Sequence, residues 1–363
     1  MSIEVPNLGT ATKPATSCVR LVHLRQRCPG EYFAELVLGM LEIPFLLRDS
    51  PEMSSDPFSD VLKLTHAQSL LTGGFTAGGR WAVRFPTPDK IKFFAVVKGQ
   101  CWVQLEGQPT PIHFQTGDVG LLSAHLWSVL SSAPDVEPVD AMDVFSGAGR
   151  SIAQLGDGSD FAHIGGHVLL DPISGPLLLN ALPPWIHIPS SEPQAPIFKW
   201  LLDQLLEERD GAQPGAQVAC AQLAQLLFVQ VLRAHLKRSG HLGTGWLHAV
   251  SDPRIAPALG LMHSDPARPW HLEELAKACA MSRTTFASHF KAVCGVPPLT
   301  YLMQWRMRLA ERALSRDNTA VALVAESLGY TSESAFSNAF KRVTGRSPTG
   351  YRKARCPVPT EPK

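Results

Sequence analysis

The stretch SRTTFASHFKAVCGVPPLTY occupies residues 282–301, and the stretch SESAFSNAFKRVTGRSPTGY occupies residues 332–351. The two stretches lie fifty residues apart and carry the same residue at eight positions. The shared residues are Ser282, Phe286, Phe290, Lys291, Val293, Gly295, Pro298 and Tyr301, which recur as Ser332, Phe336, Phe340, Lys341, Val343, Gly345, Pro348 and Tyr351. Because all eight keep their order and three are aromatic, the repeat indicates one structural unit that occurs twice.

Each copy has the pattern of two helices joined by a tight turn. Apolar residues spaced by helical turns predict the first helix; they are Leu272, Leu275, Ala276 and Cys279 in one copy and Val321, Val324, Ala325 and Leu328 in the other. Ala280-Met281 and Gly329-Tyr330-Thr331 are the predicted turns. The serine that begins each stretch can cap the second helix, since its hydroxyl accepts a hydrogen bond from a backbone N–H. The two phenylalanines four residues apart would pack that helix onto the first.

Polar residues remain on the second helix of each copy and are candidates for contact with DNA. In a helix-turn-helix unit the second helix enters the major groove, where side chains reach base edges and cations hold phosphates. Residues 252–353 contain 14 Lys and Arg against 8 Asp and Glu, although the whole chain has a formal net charge of +1. This local positive charge favours a polyanionic partner over the alternative of a plain helical bundle. The predicted DNA-binding residues are Arg283, Thr284, Ser288, His289, Lys291, Arg306, Glu333, Ser334, Ser337, Asn338, Lys341, Arg342 and Arg346.

A long helix is predicted between the two copies, over residues 300–315, and contains the run WRMRLA at residues 305–310. Together with residues 325–330 and the shared Gly345 and Pro348, this run makes residues 252–353 resemble the DNA-binding domain of the AraC/XylS family of transcription regulators. The resemblance implies seven helices in two subdomains joined by the long helix. It also implies promoter or operator DNA as a partner, and RNA polymerase if the protein is an activator. The sequence departs from the family at Ala280, where a glycine is usual.

The chain upstream of the repeat contains two regions that differ in their residue pattern. Short segments rich in aromatic and β-branched residues alternate with glycine turns between residues 80 and 130, which predicts a small antiparallel barrel or sandwich. Residues 191–240 have helical spacing and predict a helical pair, which either packs on the barrel or forms a homodimer interface. Residues 56–190 resemble the cupin-like N-terminal domain of one branch of the same family. The residues that carry this resemblance include Asp56-Pro57-Phe58, Trp81 to Pro86, and Gly117-Asp118-Val119.

The expected fold class is therefore α+β. A cupin-like β-barrel with a helical pair precedes an all-α domain of two helix-turn-helix subdomains. Residues 131–160 are dense in Pro, Gly, Ser and Asp and predict a long loop, while residues 239–251 predict a linker. Residues 354–363 are expected to form a C-terminal tail.

The first 55 residues are expected to be a dispensable N-terminal extension. The family resemblance begins near Asp56, directly after Met53, which could itself be the initiator. Residues 1–52 would then not be translated. The alternative is a genuine extension that packs through the apolar stretch at residues 32–47.

Composition excludes several classes of protein. A hydrophobic fraction of 45% with 18% charged residues is typical of a globular protein, and no run of about twenty apolar residues predicts a membrane span. Seven cysteines without a C-x-x-C pair favour neither a disulfide framework nor a structural zinc site. We therefore expect a cytoplasmic protein without a membrane partner.

Aromatic residues in the predicted barrel suggest where a small-molecule effector could bind. Trp81, Phe93, Trp102 and Trp127 lie on or next to predicted strands and could line an interior cavity. Such a cavity would suit an apolar or aromatic ligand. The alternative is that the same residues form a filled core.

Neither a metal site nor a catalytic site is predicted. His113, His125, His163 and His167 lack an H-x-H pattern with a nearby carboxylate, and Ser128 and Gly165 stand where related regulators tend to have His and Cys. No nucleophile elbow, P-loop or dinucleotide motif is present, so we expect no cofactor and no enzymatic activity. The alternative function is a ligand-binding or catalytic cupin whose helical tail only assembles it. A gel shift with the protein's own promoter region separates the two classes.

Overall fold

The computed structural model describes residues 56–123, 126–146, 152–211, 213–239, 245–316 and 319–355. The predictions for residues 1–55 and for most of the C-terminal tail lie outside these described residues. All described residues belong to one compact unit.

The N-terminal half is a barrel-like pair of sheets that follows a short helix, α1 (Pro57–Leu64). Asp56 caps α1 by accepting a hydrogen bond from the Phe58 N–H at 3.1 Å. The strands of the described residues are β1 (Gln68–Ala77), β2 (Ala82–Phe85), β3 (Ile91–Lys98), β4 (Gln100–Leu105), β5 (Ile112–Gln115), β6 (Val119–Leu122), β7 (Ser128–Ser131), β8 (Val139–Asp140), β9 (Ile152–Leu155), β10 (Phe161–Leu169) and β11 (Trp185–Ile188). One sheet has the order β11-β6-β3-β10-β1-β9 and the other β5-β4-β7-β2-β8. The predicted α+β class is confirmed.

Strand β3 shows how the sequence places two cores on the two faces of one sheet. Phe93 and Ala95 pack in the core beneath the helical pair, whereas Phe94 and Val96 pack inside the barrel. Since successive side chains of a strand point to opposite faces, a strand buried on both faces is apolar at nearly every position. The run IKFFAVVK at residues 91–98 has this composition.

A short helix, α3 (Gly175–Leu179), lies between β10 and β11, and the predicted helical pair is formed by α4 (Ala195–Gly211) and α5 (Ala216–Ser239). Among the described residues, α5 is the one helix long and apolar enough to cross a membrane. Its residues Leu227, Phe228 and Val231 are instead buried in the core shared with the barrel. Packing against the sheet therefore accounts for its apolar face.

Two predictions about irregular segments were wrong. The predicted loop at residues 131–160 contains β8, β9 and a short helix, α2 (Ala141–Phe145), because Asp140 caps α2 by accepting the Met142 N–H at 2.8 Å. The predicted linker contains α6 (Trp246–Ala249), and the side chain of Leu247 is buried. Leu247 belongs to the core beneath the helical pair, whereas Ala249 belongs to the core of the first helix-turn-helix subdomain. Trp81, expected in a cavity wall, is packed in the barrel core, with its ring centroid 5.2 Å from that of Phe75.

The C-terminal domain is helical and has the seven helices that the resemblance implied, preceded by α6. They are α7 (Ala256–Ser264), α8 (Leu272–Ala278), α9 (Arg283–Cys294), α10 (Pro298–Arg316), α11 (Val321–Ser327), α12 (Glu333–Thr344) and α13 (Pro348–Arg355). The long connecting helix predicted at residues 300–315 is α10. The second helices of the two repeat copies are α9 and α12, which we call the recognition helices.

Candidate nucleic-acid interface and effector cavity

The two recognition helices begin with the same cap. The Ser282 hydroxyl accepts a hydrogen bond from the Thr285 N–H at 3.2 Å, and the Ser332 hydroxyl accepts one from the Ala335 N–H at 3.2 Å. The caps satisfy backbone donors that the first turn of a helix leaves unpaired. Both helices therefore start at the residues that the repeat predicted.

The repeated aromatic residues form the same cluster in each copy. The inward face of each recognition helix carries two fully buried phenylalanines, and the second of them contacts a buried tyrosine. The ring-centroid distances are 5.6 Å for Phe286–Phe290, 5.7 Å for Phe290–Tyr301, 5.7 Å for Phe336–Phe340 and 5.4 Å for Phe340–Tyr351. These clusters fix which face of each recognition helix turns outward.

The turn between the two helices is one residue longer in the second copy than in the first. In the first, the Ala280 N–H donates to the Lys277 carbonyl and the backbone adopts a left-handed conformation with φ 51°. In the second, Gly329 holds the equivalent position with φ 78° and donates to the Glu326 carbonyl. The first turn thus places an alanine where a left-handed conformation favours glycine.

The outward faces present matching side chains at three positions. Thr284 and Ser334, Ser288 and Asn338, and Lys291 and Lys341 are all exposed. Because they follow the spacing i, i+4, i+7, each set of three lies along one face of its helix. Each recognition helix thus carries one outward stripe of hydroxyl, polar and cationic groups.

Other predicted residues surround these stripes. Glu333, Arg342 and Arg346 are exposed, and Ser337 is half-buried on α12. Arg283 is exposed but forms an ion pair with Glu273 of α8, with 2.9 Å between nitrogen and oxygen. An exposed pair of this kind is weak, so the guanidinium can exchange its partner for a phosphate or a base.

His289 has a structural partner rather than a free ring. Its Nε2 lies 2.7 Å from the carboxylate of Asp252, a residue whose side chain is only 1% exposed. This contact joins α9 to the start of the domain. His289 therefore takes part in the packing of the domain, in addition to its predicted place on the recognition helix.

Arg306 also has partners within the domain. Its guanidinium donates to the backbone carbonyls of Pro266, Ala267 and Arg268 and lies over the ring of Tyr330, 5.9 Å from the centroid. These carbonyls belong to the loop of the first subdomain, and Tyr330 belongs to the turn of the second. With Nε and Nη2 used in this way, Arg306 joins the loop of the first subdomain to the turn of the second.

A buried polar network at the junction of barrel and DNA-binding domain escaped sequence analysis. Asp60 of α1 lies 3.2 Å from His263 Nδ1, and the hydroxyl of Tyr301 lies 2.8 Å from His263 Nε2. The side chains of Asp60 and His263 are both 0% exposed. Both ring nitrogens of His263 therefore have hydrogen-bond partners within the protein. Burial, opposed by the Asp60 contact, holds the pKa of His263 below its ordinary value.

The same junction carries an apolar cluster. Trp305 of α10 stacks on His263 with ring centroids 4.0 Å apart and packs with Val61 and Leu64 of α1. Trp246 of α6 donates its indole N–H to the Leu177 carbonyl at 3.0 Å. The barrel and the DNA-binding domain therefore share a packed interface.

A cavity of about 480 Å³ lies between the two sheets, and Phe93 is the one predicted aromatic residue in its lining, although the Phe93 side chain packs mainly in the core beneath the helical pair. Trp102 is on the outer face of β4, against His113 at 4.9 Å between ring centroids. Trp127 lies before β7 and donates its backbone N–H to Glu106 at 3.3 Å. The inward positions of β4 are Cys101, Val103 and Leu105. The predicted lining was therefore wrong for Trp81, Trp102 and Trp127.

The observed walls come from both sheets and from α2. Twelve of the eighteen lining residues are apolar or glycine, and the other six, which include the carboxylate Asp89, have polar or charged side chains. The apolar residues include Phe85, Phe94, Leu122, Leu130 and Phe145, and the polar residues include Ser128, His163 and Lys92. Burial lowers the pKa of His163 to about 4, so this ring is neutral at pH 7.

Metal-binding groups do not converge in the described part of the chain. No set of three His, Cys, Asp or Glu side chains there could hold a metal ion. His125, one of the histidines considered in the sequence, lies outside the described residues. His113 packs on Trp102 at the outer face of the barrel.

Comparisons with known proteins agree with both halves of this architecture. The cupin family matches residues 56–237, and a helix-turn-helix domain family matches residues 275–354. A Streptomyces lividans protein named as an AraC-like transcription regulator is 43% identical over 298 residues, covering 82% of this chain and 98% of that protein. A Streptomyces antibioticus protein of the same name is 41% identical over 298 residues, again 82% of this chain and 98% of that protein. The solved DNA-binding domain of AdpA in complex with a target DNA is 32% identical, with a TM-score of 0.27, over 29% of this chain and 96% of that chain.

Proposed function

This chain belongs to the AraC-like transcription regulators, and from that membership we propose that α9 and α12 read two successive major grooves on one face of a promoter or operator. The observation that carries this proposal is the matched pair of exposed stripes on the recognition helices. Two units that share a cap, an aromatic cluster and an outward polar face are suited to two equivalent grooves. The chain acts as a regulator and not as an enzyme.

Side chains on the stripes divide into two roles. Asn338 can hydrogen-bond an adenine edge with both groups of its amide, so it would carry sequence preference. Lys291 and Lys341 sit one turn further along and would hold phosphates. Arg306 supports both roles indirectly, since its contacts with three carbonyls set the relative orientation of the recognition helices.

The barrel supplies regulation by a small molecule. Its cavity is of a size that small ligands occupy. Helix α1 contacts α7 and α10 through the buried network of Asp60, His263 and Tyr301 and through Trp305. A shift of α1 would therefore act directly on α7 and α10. Ligand binding would therefore bias the position of the first recognition helix through contacts that already exist.

Three further features belong to the same proposal. The protein works in the cytoplasm, and as an activator it would contact RNA polymerase. It also forms a homodimer through the outer faces of α4 and α5, where Trp200, Val218 and Leu226 are large, apolar and exposed. Sedimentation of the full chain with Trp200→Lys tests the dimer, since loss of a dimer present in the wild type is the expected result.

The direct test is a footprint and gel shift on the promoter region of the protein's own gene. We expect two protected segments on one face of the duplex, with centres roughly 34 Å apart. Asn338→Ala should relax preference at one base pair by about 1–3 kcal/mol. Lys341→Ala should weaken binding to all sequences and reduce the salt slope by about 1.

The matched control is Lys199→Ala, which removes an exposed lysine of α4 that pairs with Asp203. It should leave both the footprint and the salt slope unchanged. Protection of a single groove segment would contradict the two-groove arrangement. A Lys341→Ala protein with altered base preference and an unchanged salt slope would reverse the assigned roles.

A further inference from the structure

The barrel cavity lies on the inward faces of strands from both sheets. On β10, Phe161 and His163 point inward with Gly165, and on β3 Lys92 shares the inward face with Phe94. These assignments follow from the alternation of a strand and from the residues packed in the interior core. The cavity is therefore an interior site with its own polar groups.

The inner end of the cavity carries one hydrogen-bond donor. His163 is 6% exposed, and its Nδ1 accepts a hydrogen bond from the Phe75 N–H at 3.2 Å. Because the ring is neutral and Nδ1 accepts, the remaining proton is on Nε2. Within the described residues Nε2 has no hydrogen-bond partner. A methyl group built on Gly165, which also lines the cavity, would lie 3.7 Å from Nε2, so this donor faces the cavity.

Charged side chains of both signs, Lys92 and Asp89, line the cavity near His167. Lys92 is half-buried in the lining and is the direct cross-strand neighbour of His167. Burial has the largest effect on the pKa of His167 and lowers it. Lys92 and Lys90 lower it further, and Asp89 acts in the opposite direction. In the described part of the chain no carboxylate lies within 4.0 Å of the Lys92 ammonium. A half-buried ammonium without an acidic partner is suited to bind an anionic group of a ligand.

Donor and cation stand at opposite ends of an apolar, aromatic wall. His163 and the strand position opposite Lys92 are four residues apart on β10, a separation of about 13 Å along an extended strand. Phe85, Phe94 and Leu130 lie on the walls between them. We propose that the cavity binds a flat aryl carboxylate, with its carboxylate on Lys92 and a neutral acceptor oxygen at its far end on His163 Nε2–H. This rests on the proposed function in taking the barrel as the regulatory domain.

Three probes separate the two polar contacts. The first is 6-methoxy-2-naphthylacetate, which has a carboxylate at one end and an ether oxygen at the other. Its primary amide keeps the shape and removes the charge, and 2-naphthylacetate keeps the charge and removes the ether oxygen. Binding of each probe to the full-length protein is measured by titration calorimetry at pH 7.

We expect each of two substitutions to remove one of two differences in affinity between the probes. The acid should bind about tenfold more tightly than its amide, and Lys92→Met should bring that ratio close to one. The ether oxygen should improve affinity by about fivefold, and His163→Asn should abolish this gain. Asparagine can still accept the Phe75 N–H but has no donor at the position of Nε2. Lys98→Met is the control, since Lys98 ends the same strand, is exposed and donates to the Ser159 carbonyl. It should preserve both ratios.

Several outcomes overturn the proposal. Equal affinity for acid and amide, or an acid preference that survives Lys92→Met, would remove the carboxylate site. An ether contribution that survives His163→Asn would remove the inner contact, and no binding of any probe at millimolar concentration would exclude the aryl carboxylate class. A gel shift without probe tests DNA binding separately. Loss of the shift there contradicts the proposed function while the calorimetry still decides the ligand.

Discussion

The left-handed turn residues of the two copies allow a quantitative test of the helix-turn-helix geometry. Ala280 adopts φ 51° and is exposed, so its side chain adds strain and little burial. A Cβ in a left-handed conformation costs about 1–2 kcal/mol. Glycine removes that strain but raises the entropy of the unfolded chain, which offsets about 0.4–1 kcal/mol. Ala280→Gly should therefore increase the free energy of unfolding by about 0.5–1 kcal/mol.

The reverse substitution in the second copy has an additional steric term. Gly329 has φ 78°, and a Cβ added there would lie 1.9 Å from the Ala267 carbonyl oxygen. Gly345 has φ 77° and no atom within 4 Å of an added Cβ, so Gly345→Ala measures the conformational effect alone. We expect Gly345→Ala to destabilise by about 0.5–1 kcal/mol, the same net effect with the opposite sign, and Gly329→Ala to destabilise by at least twice as much.

The assay is denaturant unfolding of the full-length variants, with DNA affinity measured in parallel. Gly329→Ala should also weaken DNA binding, because the Ala267 loop braces the two subdomains through Arg306. Ala280→Gly should leave affinity unchanged. A destabilising Ala280→Gly would refute the assignment of strain to the first turn. Equal losses for Gly329→Ala and Gly345→Ala would refute the contact between subdomains.

Three further predictions concern buried polar groups. Arg306→Lys should weaken DNA binding without flattening its salt slope, since a lysine cannot bond three carbonyls with planar geometry; a flattened slope in gel shifts would mean a phosphate contact. Asp60→Ala should lower the free energy of unfolding by about 1–3 kcal/mol in denaturant titration, because it leaves the Nδ1 side of the buried His263 ring without its partner, whereas an unchanged free energy would show that the network does not stabilise the junction. The depressed pKa of His163 (about 4, against 6.5 unfolded) means that the unfolded chain takes up a proton first as pH falls. Stability should decrease by about 3 kcal/mol between pH 7 and pH 4 from this group, and His163→Asn should have a shallower pH dependence; an unchanged slope would contradict a neutral buried ring.

Much of the DNA-binding domain could be predicted from the sequence because its signals are local. A cap, a turn and two phenylalanines four residues apart specify one helix-turn-helix within about twenty residues, and the repeat states the pattern twice. The exposed stripes follow from the same periodicity, since burying Phe286 and Phe290 turns Thr284 and Ser288 outward. The helix inside the predicted linker was missed, because α6 is a single helical turn and its burial depends on partners outside it.

Within the barrel, the sequence predicted strands but not the side of each strand that faces inward. Trp102 and Phe94 both looked suited to a cavity, and a shift of one position decides between interior and surface. The cavity also depends on the missing side chain at Gly165, which leaves room beside His163. The local sequence pattern does not indicate that this glycine borders a cavity.

Contacts between distant segments were decided by tertiary structure alone. His263 and Asp60 are 203 residues apart in sequence, and neither residue type suggests the other as a partner. Arg306 looks like a phosphate contact on a basic helix, until the fold brings three backbone carbonyls within reach. Local patterns thus determined which helices form and which faces are polar. The packing of remote segments determined which polar groups are used within the protein and which remain for DNA and ligand, because that choice depends on distances that one stretch of chain does not contain.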